Sequence, residues 1–188
     1  MRKISFLQAL LITAILLLAF RCNILGPAID PTPPNTPTET TETPSKRPTP
    51  PTKKAEDNLR KDIIRYAQQF QGRPYLYAGK DPKTGFDCSG FTHFVMKEFD
   101  IDLSSSSRAQ ELQGTSIPLS SVKAGDLIFY RRPGNNSVFH VSLVVDKTQE
   151  GISVIHSTSR GVVIDNISTS SYWKPKISTA RNVVSSKF

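Results

Sequence analysis

The chain has 188 residues, a formal net charge of +8, 14 prolines and two cysteines. That length holds one domain with a sizeable core, and two cysteines are too few for a disulfide framework. Several positive charges lie near the N-terminus and none forms a basic stripe interleaved with aromatics, which argues against nucleic acid and leaves an acidic polymer outside the cytoplasm as the better partner.

Residues 1–22 carry Arg2 and Lys3, an apolar run from Leu7 to Phe20, and then Arg21 and Cys22, the layout of a secretory signal. Cys22 stands where a bacterial lipoprotein signal places the cysteine that is acylated. Bulky Phe20 and charged Arg21 depart from the small residues usual there, so an uncleaved anchor or a differently cut signal are the alternatives. Residues 23–55 are dominated by Pro and Thr and have little apolar surface to offset the entropy of ordering. They are expected to be a disordered, polyproline-rich spacer with a reach on the order of 100 Å. The predicted location is the bacterial cell envelope, with lipid anchoring to a membrane.

A single folded domain is expected over residues 56–188. Asp57 is placed as the cap of a first helix in which Leu59, Ile63, Ala67 and Phe70 recur at helical spacing, ended by Gly72 and Pro74. A turn-rich loop follows. A second helix starts at Cys88, with Phe91, Phe94, Val95 and Phe99 forming a core-facing stripe. A short helix is expected within 104–113, and strands over 127–131, 138–145, 152–156, 162–165 and 178–184. Helices first and strands afterwards predict an α+β domain with its N-terminal helices packed on an antiparallel sheet.

The chemistry centres on Cys88, the only cysteine outside the leader. With Asp87 as N-cap, Cys88 takes the first helical position, where free N–H groups favour a thiolate and can help hold an oxyanion. Asp87 partly opposes that charge, so a base is needed. Of the three histidines, His93 lies well round the same helix from the sulfur and is read as structural. His140 and His156 lie on separate predicted strands. Alternation puts His140 and Ser142 on one face, opposite Phe139, Val141 and Leu143, and puts His156 with Ile152 and Val154. A thiol nucleophile, an imidazole base and a group that orients that base map onto Cys88, His140 and His156 in that order. No metal is expected, because none of the three has a Cys or His two to four positions away. Ser89 is assigned to capping or to substrate contact.

Four motifs in this order resemble the NlpC/P60 family of cell-wall cysteine peptidases, a permuted relative of the papain-like fold: Pro74-Tyr75 with Ala78-Gly79, Asp87-Cys88-Ser89-Gly90-Phe91, Gly125-Asp126-Leu127, and His140-Val141 with His156-Ser157. Ser171-Tyr172-Trp173 with Ala180-Arg181 is similar to the closing segment of the small lipoprotein murein endopeptidases of that family. The resemblance implies Cys88 as nucleophile, His140 as base, His156 as orienter, and Tyr75 as a substrate or oxyanion contact. It also implies no cofactor, a monomer, and peptidoglycan stem peptides or cross-links as substrate. Ala78 stands where the family commonly has a first of two glycines, which bears on loop shape. A wall-binding module without catalysis, and an amidase or acyltransferase on the same fold, are the alternatives.

Overall fold

The computed structural model describes residues 52–187; the signal segment, Cys22 and the Pro/Thr-rich stretch through residue 51 lie outside the described residues. Helix α1 spans Lys53–Gln68, one turn earlier than the sequence places it. The Thr52 carbonyl accepts from the N–H of Ala55 at 2.7 Å, and no Pro or Gly interrupts Lys53-Lys54-Ala55-Glu56. These are good helix formers, and Glu56 sits in the first turn where the helix dipole favours an acid. Residues 53–55, assigned by composition to the spacer, are therefore helical, and Asp57 is an interior residue.

Helix α2, Cys88–Lys97, starts where expected: the Asp87 carboxylate accepts from the Gly90 N–H at 2.6 Å. Gly90 is required there, since a Cβ would lie 1.9 Å from the Gly79 carbonyl oxygen. A short hairpin, β1 (Lys80–Asp81) and β2 (Gly85–Phe86), precedes the helix. Ala78 enters it at φ 57°, a left-handed conformation that glycine adopts without strain. Helix α3 is the single turn Ser107–Gln110.

The remaining strands are β3 (Thr115–Ile117), β4 (Leu127–Arg131), β5 (Val138–Thr148), β6 (Gly151–Thr158), β7 (Gly161–Asn166) and β8 (Ile177–Asn182). They form one antiparallel six-stranded sheet in the order β3-β8-β4-β5-β6-β7. Ile63, Ala67, Phe91, Val95 and Met96 of α1 and α2 pack on one face, against Leu127, Phe129, Val141, Leu143 and Ile155. The other face buries Ile128, Tyr130, Val144 and Val154 under Ile167 and Trp173. The domain is thus α+β, with its helices on one side of the sheet, as the strand and helix order implied.

One register shift corrects the sequence reading of β5. Tyr130 pairs with His140 and Arg131 with Val138, so Phe139 is the extra residue of a bulge. Phe139 accordingly leaves the company of Val141 and Leu143 and joins the opposite cluster.

Candidate active site

Cys88 is held in place by its neighbours in α2. Gln110, fully buried, donates from Nε2 to the carbonyls of Ser89 at 3.0 Å and Ser104 at 2.6 Å, and its Oε1 accepts from Thr92 Oγ1 at 2.8 Å. The first turn of α2 is thereby fixed to the segment that leads into α3. Backbone N–H groups of Val141, Ser89 and Cys88 reach the sulfur. The Val141 contact brings β5, and with it His140, alongside Cys88.

His140 and His156 lie on the sheet face opposite α2 and are 6% and 0% exposed. His140 Nε2 is 3.0 Å from His156 Nδ1, and His156 Nε2 is 3.0 Å from Asp165 Oδ2. A carboxylate only accepts, and this fixes the protons along the chain. His156 Nε2–H donates to Asp165, so its Nδ1 is the acceptor; His140 Nε2–H donates to that Nδ1, which leaves His140 Nδ1 with a lone pair. His140 lines the same cavity as Cys88. Asp165 also accepts from Trp173 Nε1 at 3.2 Å and from Arg160. The Trp173 ring stacks on His140 with centroids 4.6 Å apart and planes 25° apart. Tyr130, its hydroxyl 2.7 Å from Ser142 Oγ, closes the back of the site.

The electrostatics describe a neutral resting site. Burial pushes the Cys88 thiol up to about 11, Asp87 adds to this, and the three N–H groups oppose it without winning. Burial, then the neighbouring His156, holds His140 well below the ordinary imidazole value, although Asp165 pulls the other way. Burial likewise lowers His156, again opposed by Asp165. Asp165 itself is held below the usual carboxylate range: burial raises it, but His156 and Arg160 outweigh burial. The helix-start position alone therefore does not produce a standing thiolate, contrary to what α2 considered in isolation suggests.

Tyr75 is 44% exposed, bridges to Phe86 just before the cysteine, and lines the same cavity as Cys88 and His140. Burial and the charges of Cys88 and Asp87 raise its phenol, which stays protonated as a donor. The Ser89 hydroxyl is spent on the Ser105 carbonyl at 2.9 Å and on Asp87 at 3.2 Å; only its backbone N–H faces the sulfur. His93 Nδ1 bonds the Leu103 carbonyl at 2.6 Å, a packing role away from the cleft. Asp165 and Trp173 had no assigned role in the sequence reading. Asp165 ends the alternating run Val162 to Asp165, where one acid at a strand end carries no distinguishing signal. Among the described residues no group of three or more His, Cys, Asp or Glu side chains is arranged to hold a metal ion.

Residues 72–182 match the NlpC/P60 family. The chain belongs to that family. This NlpC/P60 chain is 35% identical over 124 residues to the gamma-DL-glutamyl hydrolase of Bacillus subtilis strain 168, covering 64% of this chain and 29% of that one. It is 36% identical over 114 residues to the gamma-D-glutamyl-L-lysine dipeptidyl-peptidase of Bacillus cereus, covering 59% and 33%. It spans about a third of the length of these curated relatives. Among solved structures, an NlpC/P60 family protein from Bacillus cereus superposes with a TM-score of 0.60 at 31% identity, over 66% of this chain and 40% of that one. A Staphylococcus aureus protein described as similar to lipoprotein gives a TM-score of 0.60 at 29% identity, over 68% and 42%.

Proposed function

We propose that this NlpC/P60 domain is a cysteine endopeptidase that hydrolyses amide bonds in peptidoglycan stem peptides. The observation that carries the proposal is the hydrogen-bonded path from Asp165 through His156 to His140, which lines the same cleft as Cys88. The chemistry begins from neutral thiol and neutral imidazole. As Sγ attacks the carbonyl carbon, its proton passes to His140 Nδ1, and the C–S bond forms while the carbonyl π pair moves onto oxygen. Asp165 stabilises the imidazolium through His156, and the N–H groups at the start of α2 with the Tyr75 hydroxyl are the donors available to the oxyanion. The imidazolium then protonates the departing amine. Water, deprotonated by His140, releases the acyl group and restores the thiol.

The bond favoured is the one between γ-linked D-glutamate and the diamino acid, because two relatives are named for γ-glutamyl linkages. Export, a tether through lipidated Cys22, and action as a monomer complete the reading. The lipoprotein description of the Staphylococcus aureus relative favours the tether. Among the described residues no helix is long and apolar enough to cross a membrane.

Incubation of isolated sacculi with the protein and with Cys88→Ala, followed by mass spectrometry of the products, tests the proposal. New glutamyl-terminated fragments are expected with the native protein only. Equal fragment profiles from both proteins would sink the enzymatic reading.

A further inference from the structure

The cleft extends in two lobes from Cys88. One, of about 740 Å³, runs toward Asp165 and Tyr172. The other, of about 550 Å³, runs toward Ser105, Arg108 and Ser137. Tyr75, Cys88, Arg132 and Phe139 line both, so these four residues mark the junction of the lobes.

The charges of the cleft are unevenly committed. Arg160 is neutralised by Asp165. Asp87, the acid of the second lobe, is consumed in capping α2. Arg131 is tied to Glu111 at 2.7 Å, to the Asn136 carbonyl at 2.6 Å and to Ser178. Its neighbour Arg132 is not tied in this way: its guanidinium carbon lies 4.3 Å from the centroid of the Phe139 ring, and among the described residues no carboxylate pairs with it. Arg108 on α3 is likewise exposed, with no carboxylate partner among the described residues. The β5 bulge is what turns Phe139 into the cleft to support Arg132. A guanidinium with an aromatic face beneath it keeps its N–H edge directed outward, and that edge matches a carboxylate.

We propose that Arg132 is a specificity-determining residue that receives the free α-carboxylate of the γ-linked glutamate, with Arg108 reinforcing the field from the second lobe. This rests on the proposed peptidase function and adds the recognised group. A γ-linkage leaves the α-carboxylate free, two methylene groups and the α-carbon away from the scissile carbonyl. A carbonyl over Cys88 therefore brings that carboxylate to the cleft wall where Arg132 stands.

The test separates recognition from catalysis by using Cys88→Ala and measuring calorimetric Kd for two probes. These are the tripeptide L-Ala-γ-D-Glu-diamino acid and its α-carboxamide analogue. The free acid is expected to bind about tenfold more tightly, as a partly solvated charge-assisted hydrogen bond provides, with the difference shrinking in high salt. Arg132→Gln on that background should bring the acid to the affinity of the amide and leave the amide unchanged. Arg131→Gln should keep the preference while lowering the urea midpoint. Equal Kd for both probes, including no binding of either, overturns the proposal, as does an Arg132→Gln loss that is the same for both. A preserved carboxylate preference in a protein that fails to cut sacculi would instead strike the peptidase function and leave the subsite standing.

Discussion

Two buried polar clusters in this domain use opposite electrostatics. Arg60, 3% exposed, reaches from α1 to Glu56 at 2.9 Å, the Ala124 carbonyl at 2.7 Å, Asp126 at 2.8 Å and Asn182 at 3.0 Å. Asp126 completes the knot by accepting from the Lys123 N–H at 2.8 Å. The knot pairs a guanidinium with two carboxylates and joins α1 to the start of β4 and the end of β8. The two histidines of the chain from His140 to Asp165 are as deeply placed, but their imidazoles are neutral and one end opens on the cleft. A closed ionic knot locates elements, whereas a neutral relay with a free lone pair can accept a proton and return it.

The largest expected effect breaks the knot. Arg60→Ala removes one partner of a buried pair and strands Asp126, whose carboxyl burial already pushes above the usual range in spite of Arg60. A loss of about 3–5 kcal/mol in urea unfolding is expected, partly recovered by adding Asp126→Asn, which removes the stranded charge. The kcat of the molecules that remain folded should not change, because no member of the knot touches the cleft. A fall in kcat comparable to a relay substitution would join the two regions that the comparison separates.

The relay should reveal itself next through acid. His140 and His156 are both lowered in the folded protein, so below the unfolded value of about 6.5 the unfolded chain binds protons that the folded chain refuses. Stability is then lost as pH falls, with a slope approaching about 1.4 kcal/mol per pH unit for each histidine until the folded values are passed. On the alkaline side the Cys88 thiol is raised to about 11, so its contribution is present below the unfolded thiol value, roughly 8.5, and is lost above it. The plateau is expected between about pH 6.5 and 8.5. Urea midpoints measured from pH 4.5 to 9.5 check this. A domain as stable at pH 5 as at pH 7.5 would mean that the histidines are not held neutral.

The contrast between the clusters also explains what the sequence made legible. Cys88 at the start of α2, Asp87 as its cap and five of the eight strands could be read locally, because each depends on residues within one or two turns of chain. His140 and His156 emerged because the chain has only three histidines and His93 is on the wrong side of α2. Arg60, Asp126 and Asp165 were not legible as partners, since 66 positions separate the first pair and an isolated acid or arginine has no periodic signature. Three-residue β3 and the two-residue strands of the hairpin were missed for a related reason: at that length pairing is decided by the partner strand. The Phe139 bulge interrupts the alternation just before His140, so strict period-two reading misassigned Phe139 while placing His140 and Ser142 correctly.

The smallest effect discriminates most finely, because it asks whether Asp165 acts through the histidines or only packs. Asp165→Asn keeps an oxygen that can accept from His156 Nε2–H but removes the charge that raises both imidazoles. The kcat is expected to fall about tenfold, or about 1.4 kcal/mol of barrier, since the imidazolium formed during attack loses its electrostatic support. The acid limb of the rate profile, already below 6.5, should move to still lower pH rather than upward. Trp173 offers an independent reading, being the chain's single tryptophan and stacked on His140. Protonation of that ring quenches the indole by electron transfer, so a fluorescence titration follows His140 without substrate. Its midpoint should lie below 6.5 in the native protein and lower in Asp165→Asn. An Asp165 that merely packs would lower the urea midpoint and leave both the acid limb and the fluorescence midpoint in place. Coincidence of the two midpoints in each protein would tie the catalytic base to the ring that Trp173 covers.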